Sequence, residues 1–417
     1  MQIFIVGIES IHELLALLLC LIADIITCMN ICQPEVKSPG HKQFQDLRNI
    51  ASVWDLLLPE NHPLKSCFLL AIQDAGLPDV QFHYLVIYKD EEPAGLAYFQ
   101  HFHFHAGHYD SRALGQGPMA YLSQLLLCQE TGILVCGNLF HLSQEGFFFR
   151  NQEDREILLP LVKEMEKKLR PGAVLIKDIR KPFSESTLKN NRFRSFDEDQ
   201  VMSLILSPDW KSFDDYLGSL SKKYRQRAAK ILSATEGLIF RELDENEIKA
   251  REGEIEALYQ QVRQRQALRI GSLTGAYFSE MKKVRGKQFT VRAWLNPEGK
   301  MLAFSSHFLH PGSQREVHYI GFDTEANEKH LLYFNILFDG IRCGIENGEF
   351  EVMFGRTGFD AKASAGAMPS NNLHYFRVKR GVPGLTFQVL RKALAGREKP
   401  DWQSRNPFRK VIREIES

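Results

Sequence analysis

One order of secondary-structure elements is predicted twice in this chain, and that repeat limits what the chain can fold into. The first copy consists, in chain order, of strands at 83–88, 95–104 and 133–140, a helix at 152–169 and a strand at 173–179. The second copy consists of strands at 289–295, 301–309 and 317–322, a helix at 331–345 and a strand at 350–354. A hairpin followed by a strand–helix–strand crossover predicts an α/β fold with a mixed sheet in each copy.

The repeat and the length of 417 residues predict two similar units with extensions at both ends. We expect an apolar N-terminal extension at 1–38, a first unit at 39–205, a second unit at 206–390 and a basic C-terminal tail at 391–417. A basic helix at 212–234 is predicted to open the second unit, because Ser212 and Asp215 have the spacing of a capping box.

Composition and charge exclude several classes of protein. Apolar residues make up 44% of the chain and charged residues 25%, which is typical of a globular protein. The 52 basic and 51 acidic residues nearly cancel, so no DNA partner is expected. The seven cysteines are odd in number and have no CxxC spacing, which argues against disulfides and zinc and favours the cytoplasm.

The N-terminal extension contains an apolar run at 14–23 that is too short to cross a bilayer. Glu9, Glu13 and Asp24 flank this run, and carboxylates are costly in lipid. No basic residue precedes the run, as a secretory signal would require. We therefore expect no membrane span.

Four segments carry a resemblance to a known family: SLSKKYRQRAAKI at 219–231, HYIGFD at 318–323, LYFNILFDGIRCGIENG at 332–348 and FGRTGFDAKASAGAMP at 354–369. Together they resemble bacterial GNAT-like proteins of peptidoglycan biosynthesis or recognition, which are related to the Fem-type aminoacyltransferases. The resemblance implies two tandem GNAT-like units joined by a basic helix. It also implies transfer of an acyl group to an amine on a small molecule or cell-wall precursor. The co-substrate would be acyl-CoA or aminoacyl-tRNA, with tRNA a possible partner and no bound cofactor.

Acyl transfer needs a deprotonated amine, a polarised carbonyl and a firmly held donor. The basic helix offers cations for the donor, with no acidic residue between Ser221 and Lys230. We predict that Lys222, Tyr224 and Arg225 bind it, since the resemblance singles out the last two. The alternative is an ordinary solvated helix face.

The turn at 355–362 follows the last predicted strand of the second unit, at the sheet end where α/β folds gather ligands. Arg356 and Lys362 in this turn are predicted to neutralise an anionic donor. The alternative is an ordinary strand exit that contains an internal Arg–Asp pair.

The strand at 317–322 is expected to line the acyl groove, with Tyr319 as the catalytic, proton-handling residue and Asp323 as a donor-binding residue. Strict alternation along a strand sends His318 and Tyr319 to opposite faces, so only one of the two is expected to serve. A tyrosine that only packs in the strand is the alternative.

The junction after this strand differs from acetyl-CoA-dependent relatives, which have a glycine-rich pyrophosphate loop there. Residues 324–328 read TEANE, and two carboxylates repel a pyrophosphate. The loop pattern occurs instead in the first unit, where Arg112, Gly115 and Gly117 are predicted as a secondary anion site. Acyl-CoA and aminoacyl-tRNA therefore both remain possible donors.

The sequence predicts no metal site. His101, His103, His105 and His108 cluster near one strand, but no suitably spaced carboxylate or cysteine accompanies them.

A different class of function also remains open, namely a non-catalytic module that binds a polyanionic ligand.

Overall fold

The computed structural model describes residues 40–60, 62–105, 108, 131–142, 144–196, 200–266, 269, 271–310, 312–379 and 404–409. The predicted N-terminal extension lies outside these residues, as does the predicted secondary anion site at Arg112, Gly115 and Gly117. Of the predicted C-terminal tail, residues 404–409 are described.

The first sheet is built mainly from the first predicted copy. Its strands are β1 (His41–Phe44), β2 (Val80–Lys89), β3 (Glu92–Phe104), β4 (Thr131–Cys136), β5 (Phe147–Phe149), β6 (Ala173–Ile179) and β7 (Arg194–Phe196), joined by β15 (Leu373–Val378). The strand order is β1-β2-β3-β4-β6-β15-β7, and β5 also pairs with β3. β4 and β6 are parallel, whereas the other described pairs in this sheet are antiparallel.

The second sheet has the same plan. Its strands are β8 (Gln200–Ile205), β9 (Ile239–Leu243), β10 (Phe289–Leu295), β11 (Met301–His310), β12 (Gln314–Phe322), β13 (Glu351–Met353) and β14 (Met368–Asn371), in the order β14-β8-β13-β12-β11-β10-β9. β12 and β13 are the parallel pair among the described strands of this sheet. The predicted α/β class with two mixed sheets is confirmed.

Helices cover the sheets and connect the strands. In the described residues of the first unit the α-helices are α1 (Ala51–Leu56), α2 (Ser66–Asp74), α3 (Leu158–Leu169) and α4 (Glu185–Asn190). In the second unit they are α5 (Phe213–Ser219), α6 (Lys222–Ser233), α7 (Glu245–Ala250), α8 (Glu252–Arg263), α9 (Gly275–Arg285), α10 (Thr324–His330), α11 (Leu332–Glu346) and α12 (Phe359–Ser364). None of the helices in the described residues has both the length and the apolar character that a bilayer crossing requires.

Two strands pair with strands of the other predicted unit. β8 belongs to the predicted first unit at 39–205, yet it pairs with β13 and β14 in the second sheet. β15 belongs to the predicted second unit at 206–390, yet it pairs with β6 and β7 in the first sheet. Long-range strand pairing leaves no local sequence signal, so the predicted boundary does not separate the two sheets.

The predicted basic helix at 212–234 is two helices, α5 and α6. The predicted capping box is confirmed at its start, where Ser212 and Asp215 bond each other's backbone. Leu220 breaks the helix with an extended backbone, because the distant segment 404–409 pairs there. Ser221 N donates to Pro407 O at 2.8 Å, and Arg409 N donates to Ser219 O at 3.0 Å.

A shared apolar core joins the two units. One continuous cluster contains Trp54 and Tyr84 from the first unit together with Tyr277, Phe278 and Phe304 from the second, all of them fully buried. Each fully buried large apolar side chain contributes about 1.5–3 kcal/mol. The two sheets therefore stabilise each other.

The contact between β12 and α8 predicts the effect of one substitution. A Cβ on Gly321 would lie 2.6 Å from the backbone N of Tyr259 in α8, which cannot move alone. We expect Gly321→Ala to lower the free energy of unfolding by about 1–3 kcal/mol, measured by urea denaturation. Gly253→Ala in the same helix is the control, because its Cβ meets nothing within 4 Å. That variant is expected to gain up to about 1 kcal/mol; equal effects of the two would contradict the close contact.

Candidate active site between the two sheets

A cleft opens between the two units and encloses about 720 Å³ of empty space, part of which is open to bulk solvent. Both units contribute to its wall. The lining residues that bear on its chemistry are Phe68, His141 and Arg180 from the first unit and Arg285, Phe308 and His310 from the second.

A buried carboxylate anchors a polar network that reaches the cleft wall through His141 and His310. Glu316 on β12 has a side chain that is 2% exposed, and it bonds two histidines. Its Oε2 accepts from His310 Nε2 at 2.7 Å, and its Oε1 accepts from His318 Nδ1 at 2.7 Å. Burial raises the pKa of Glu316, but the nearby histidines outweigh that effect and hold it well below its usual range. Glu316 is therefore ionised at neutral pH.

Tyr277 extends the network from the second unit to the first. Its hydroxyl lies 2.7 Å from His318 Nε2 and 2.9 Å from His141 Nε2. Tyr277 is on α9, whereas His141 follows β4, and the rings of His141 and His318 stack at 4.7 Å. The network Glu316–His318–Tyr277–His141, called the relay below, thus depends on the docking of the two units.

The direction of the relay follows from which atoms can donate. Ionised Glu316 can only accept, so His318 carries its proton on Nδ1 and its Nε2 accepts from the Tyr277 hydroxyl. The Tyr277 oxygen then accepts from His141 Nε2–H, which leaves a lone pair on His141 Nδ1. Burial lowers the pKa of His141 and of His318, and burial raises the pKa of Tyr277 well above its usual range. At neutral pH the relay ends in a neutral imidazole that can accept a proton.

A bulge in β12 brings His318 and Tyr319 together. The register of β12 against β11 shifts between Ser305 and His307, so both residues lie opposite Ser306. Ser306 Oγ accepts from Tyr319 N at 3.0 Å and donates to Tyr319 O at 3.1 Å, which fixes the bulge. The rings of His318 and Tyr319 are 4.4 Å apart. The expectation of opposite faces is wrong, because a bulge interrupts the alternation.

Tyr319 lies at the edge of the shared core. Its ring packs against Tyr259 at 5.6 Å, and burial raises the pKa of its hydroxyl well above the usual range. The hydroxyl forms no hydrogen bond with any residue that the structure describes. It is therefore protonated at neutral pH, and its catalytic role stays a prediction.

The strands that were expected to cradle the donor are neighbours. β12 and β13 pair in parallel from Gln314–Glu351 to Glu316–Met353, and β12 then continues for six residues beyond this pairing. Arg356 follows β13 and its Nη2 lies 4.0 Å from Oδ1 of Asp178, at the end of β6 in the first sheet. This contact joins the two units and differs from the anticipated Arg–Asp pair, which was internal to the turn at 355–362.

Lys362 on α12 is 3% exposed, and its Nζ donates to the carbonyl oxygen of Gly355 at 3.2 Å. Burial, assisted by the nearby charge of Arg356, lowers the pKa of Lys362 to about 7. The amine is thus close to losing its charge at neutral pH. Its predicted donor-binding role remains a prediction.

The other predicted donor-binding residues lie on α6 and at the start of α10. Lys222 is exposed, whereas Tyr224 and Arg225 are half-buried, and Tyr224 packs against the core of the second sheet. Asp323 caps α10, because its carboxylate accepts from Ala326 N at 2.9 Å. These roles in binding also stay predictions.

Three groups of potential metal ligands lie close together in the described residues: Asp79–His105–His108, His141–Glu316–His318 and His307–Asp339–Cys343. In the first group, His108 Nδ1 accepts from His105 N at 3.0 Å, so its Nε2 carries the proton that faces Asp79. In the second, the relay already uses both Nε2 atoms. In the third, Arg292 donates to Cys343 Sγ at 2.8 Å and forms an ion pair with Asp339. Side chains in all three groups thus have hydrogen-bond or ion-pair partners within the protein.

Sequence reasoning missed most of the relay. Glu316 and His318 are two residues apart on a strand, and this spacing is a local signal that was available. His141 and Tyr277 lie far away in the chain, so only the docking of the units brings them to His318. No local pattern could have selected them.

No protein-family model matches the chain, and no curated protein is significantly similar to it in sequence. Solved structures to which the chain is similar include that of FemX, with 12% identity over 84% of this chain and 99% of that chain and a TM-score of 0.44. Another is L-PGS from Bacillus licheniformis, with 12% identity, coverages of 87% and 100% and a TM-score of 0.47.

A third similar structure is a tandem GNAT protein from the clavulanic acid biosynthesis pathway, with 10% identity, coverages of 81% and 98% and a TM-score of 0.43. Identities and TM-scores this low carry no conclusion about the reaction or its substrates.

The lowered pKa of Lys362 predicts a pH dependence of stability. Its pKa is about 7 when folded and 10.5 ordinarily, so the unfolded chain binds more protons between these values and stability rises with pH there. Below about pH 7 both states are protonated and the cost of the buried charge is fully present.

We expect the free energy of unfolding of the wild type, relative to Lys362→Met, to increase by roughly 1.4 kcal/mol per pH unit from pH 7 to 9. Urea denaturation at each pH measures it. The difference in free energy of unfolding between wild type and Lys223→Met, at an exposed lysine, is the control and is expected to stay constant with pH. A difference between wild type and Lys362→Met that is constant with pH would contradict the shifted pKa.

Proposed function

We propose that this protein transfers an acyl group from an activated donor to an amine acceptor in the cleft between its two units. The observation that carries the proposal is the relay, whose three hydrogen bonds of 2.7–2.9 Å lead from ionised Glu316 to neutral His141 in the cleft wall. An amine must lose a proton to form an amide, and a positioned imidazole is the side chain best suited to accept it.

In the proposed reaction, the acceptor amine attacks the acyl carbonyl carbon while His141 Nδ1 takes its proton. The C–N bond forms, and the bond from the carbonyl carbon to the donor oxygen or sulfur breaks. Imidazolium at His141 is stabilised through Tyr277 and His318 by the Glu316 carboxylate. Tyr319, whose hydroxyl is protonated, is the proposed acid that supplies a proton to the leaving group. The proton taken up by His141 then returns to the Tyr319 oxygen through solvent, which restores both residues for the next turnover.

Arg356 and Lys362 are the proposed holders of the anionic part of the donor. They meet in one turn at the carboxyl end of β13, beside the point where its pairing with β12 stops. A phosphate near Lys362 would raise its pKa from about 7, because an opposite charge favours the charged amine. Donor binding is therefore expected to take up a proton.

Aminoacyl-tRNA is the second candidate donor, as in the Fem-like reaction on a cell-wall precursor. Two observations favour it over acyl-CoA. The first turn of α10, where a pyrophosphate would bind, is capped by Asp323 and also carries Glu325. α6 exposes Lys222, Lys223, Arg227 and Lys230, a surface suited to a phosphate backbone.

The relay is tested by Tyr277→Phe, which removes the hydroxyl between two imidazoles and keeps the ring. With the donor that raises the thermal midpoint of the wild type most among acetyl-CoA, longer acyl-CoAs and aminoacyl-tRNA, we expect kcat to fall about 10²–10⁴-fold. His141→Gln is expected to lose as much, and the double variant little more, since both break one relay.

The matched control is Tyr88→Phe, at a tyrosine of β2 outside the cleft lining. Wild-type turnover in Tyr277→Phe would refute the relay. Saturable donor binding without turnover of any amine would instead favour the non-catalytic binding module.

Substitutions on α6 test whether the donor is aminoacyl-tRNA or acyl-CoA. If the donor is aminoacyl-tRNA, Lys222→Ala with Arg225→Ala should weaken its binding at least about tenfold and lessen the salt dependence of binding. Acyl-CoA binding should be unaffected. Lys287→Ala, at an exposed lysine of the turn Gly286–Gln288, is the control of equal residue type. Unchanged tRNA affinity in the double variant would exclude this surface.

A further inference from the structure

The cleft contains a guanidinium group with no anionic partner among the described residues. Arg285 at the end of α9 lies over Phe68, with its Cζ 4.1 Å from the ring centroid, and lies 5.7 Å from the ring of Phe308. Its Nε is buried and has no hydrogen-bond partner, and within the described chain Arg285 forms no ion pair with a carboxylate. Burial lowers the pKa of Arg285.

Three other buried or half-buried arginines in the described residues have carboxylate partners, and half-buried Arg263 donates instead to the backbone carbonyl oxygens of Gly271 and Arg269. Arg315 Nε donates to Glu349 at 2.7 Å, Arg292 Nε lies 3.1 Å from Asp339, and Arg377 bonds Glu166. A partly desolvated cation without a counter-charge destabilises the fold, so this chain normally pairs it. Arg285 has no such partner among the described residues, and it lines the cleft.

The surroundings of Arg285 are basic as well. Arg180 lines the same cleft, and its only described hydrogen bond is from its backbone N to Glu145. No carboxylate is among the lining residues that the structure describes. Glu316, the carboxylate of the relay, already accepts hydrogen bonds from His310 and His318. The cleft therefore carries two guanidinium charges that nothing described in its wall neutralises.

We propose that the cleft binds a ligand through an oxyanion, a carboxylate or phosphate group, held by Arg285 with help from Arg180. The planar guanidinium can donate two parallel hydrogen bonds to such a group, and Phe68 and Phe308 fix its plane. The identification of this ligand as the substrate rests on the proposed function. The acceptor or the acyl group would then carry an anionic group near His141, which also lines this cleft.

The experiment measures anion binding by the full chain without any turnover. Inorganic phosphate, pyrophosphate and acetate are titrated at constant pH and ionic strength against a chloride reference, by calorimetry and by the thermal midpoint. The variants are Arg285→Met, which keeps an unbranched apolar stem, and Arg285→Lys, which keeps the charge but not the fork. Lys287→Met is the control, since it removes one exposed positive charge two residues away.

Saturable binding of at least one anion is expected in the wild type, about tenfold or more weaker in Arg285→Met and intermediate in Arg285→Lys. Lys287→Met should bind like the wild type. The preferred anion identifies the group as phosphate or carboxylate. Without anions, Arg285→Met should be at least as stable as the wild type, because it removes an unpaired charge.

Three results would overturn the proposal: no saturable binding of any of the three anions, equal affinities of wild type and Arg285→Met, or an equal loss in Lys287→Met. If Arg285→Met does not fold, as circular dichroism would reveal, Arg285→Lys decides. Anion binding by Tyr277→Phe separates this inference from the reaction. If Tyr277→Phe turns over like the wild type and anion binding still depends on Arg285, the relay is rejected and the anion site is kept. If Tyr277→Phe loses turnover and no anion binds through Arg285, the anion site is rejected and the relay is kept.

Discussion

The burial of one apolar core between the two sheets is the interaction on which the rest of the structure depends. Aromatic residues of both units share this core, among them Trp54 and Tyr84 on one side and Tyr277 and Phe304 on the other. Polar groups that enter such a core must find partners there. The relay meets this requirement by linking side chains of both units, so the candidate site is complete only when the units are docked.

Exchanged strands fasten the same interface. β8 lies in the second sheet and β15 in the first, so the chain crosses between the sheets more than once. Asp178, at the end of β6, bonds Lys177 and lies 4.0 Å from Arg356 of the other unit. The cleft, the contact between Asp178 and Arg356 and the exchanged strands thus all lie at the interface of the two units. Neither unit can move away without breaking several of these contacts.

The bulge in β12, opposite Ser306, determines which side chains of the candidate site lie together. An undistorted β12 would separate His318 from Tyr319, whereas the bulge brings their rings within 4.4 Å beside Tyr277. The His318 imidazole of the relay and the protonated hydroxyl of Tyr319 are thereby neighbours. Arg285, stacked on Phe68, adds a positive charge to the same cleft.

Local patterns in the sequence determined the elements of the fold. The alternation and the flanking turns predicted strands 173–179 and 289–295 with the bounds that β6 and β10 have, and the capping box at Ser212 predicted the start of α5. These features depend on neighbouring residues alone. The tertiary structure alone decided the break at Leu220, the exchange of β8 and β15, and the meeting of His141, Tyr277 and His318. Each of these depends on contacts between segments that are distant in the chain, and local periodicity carries no record of them.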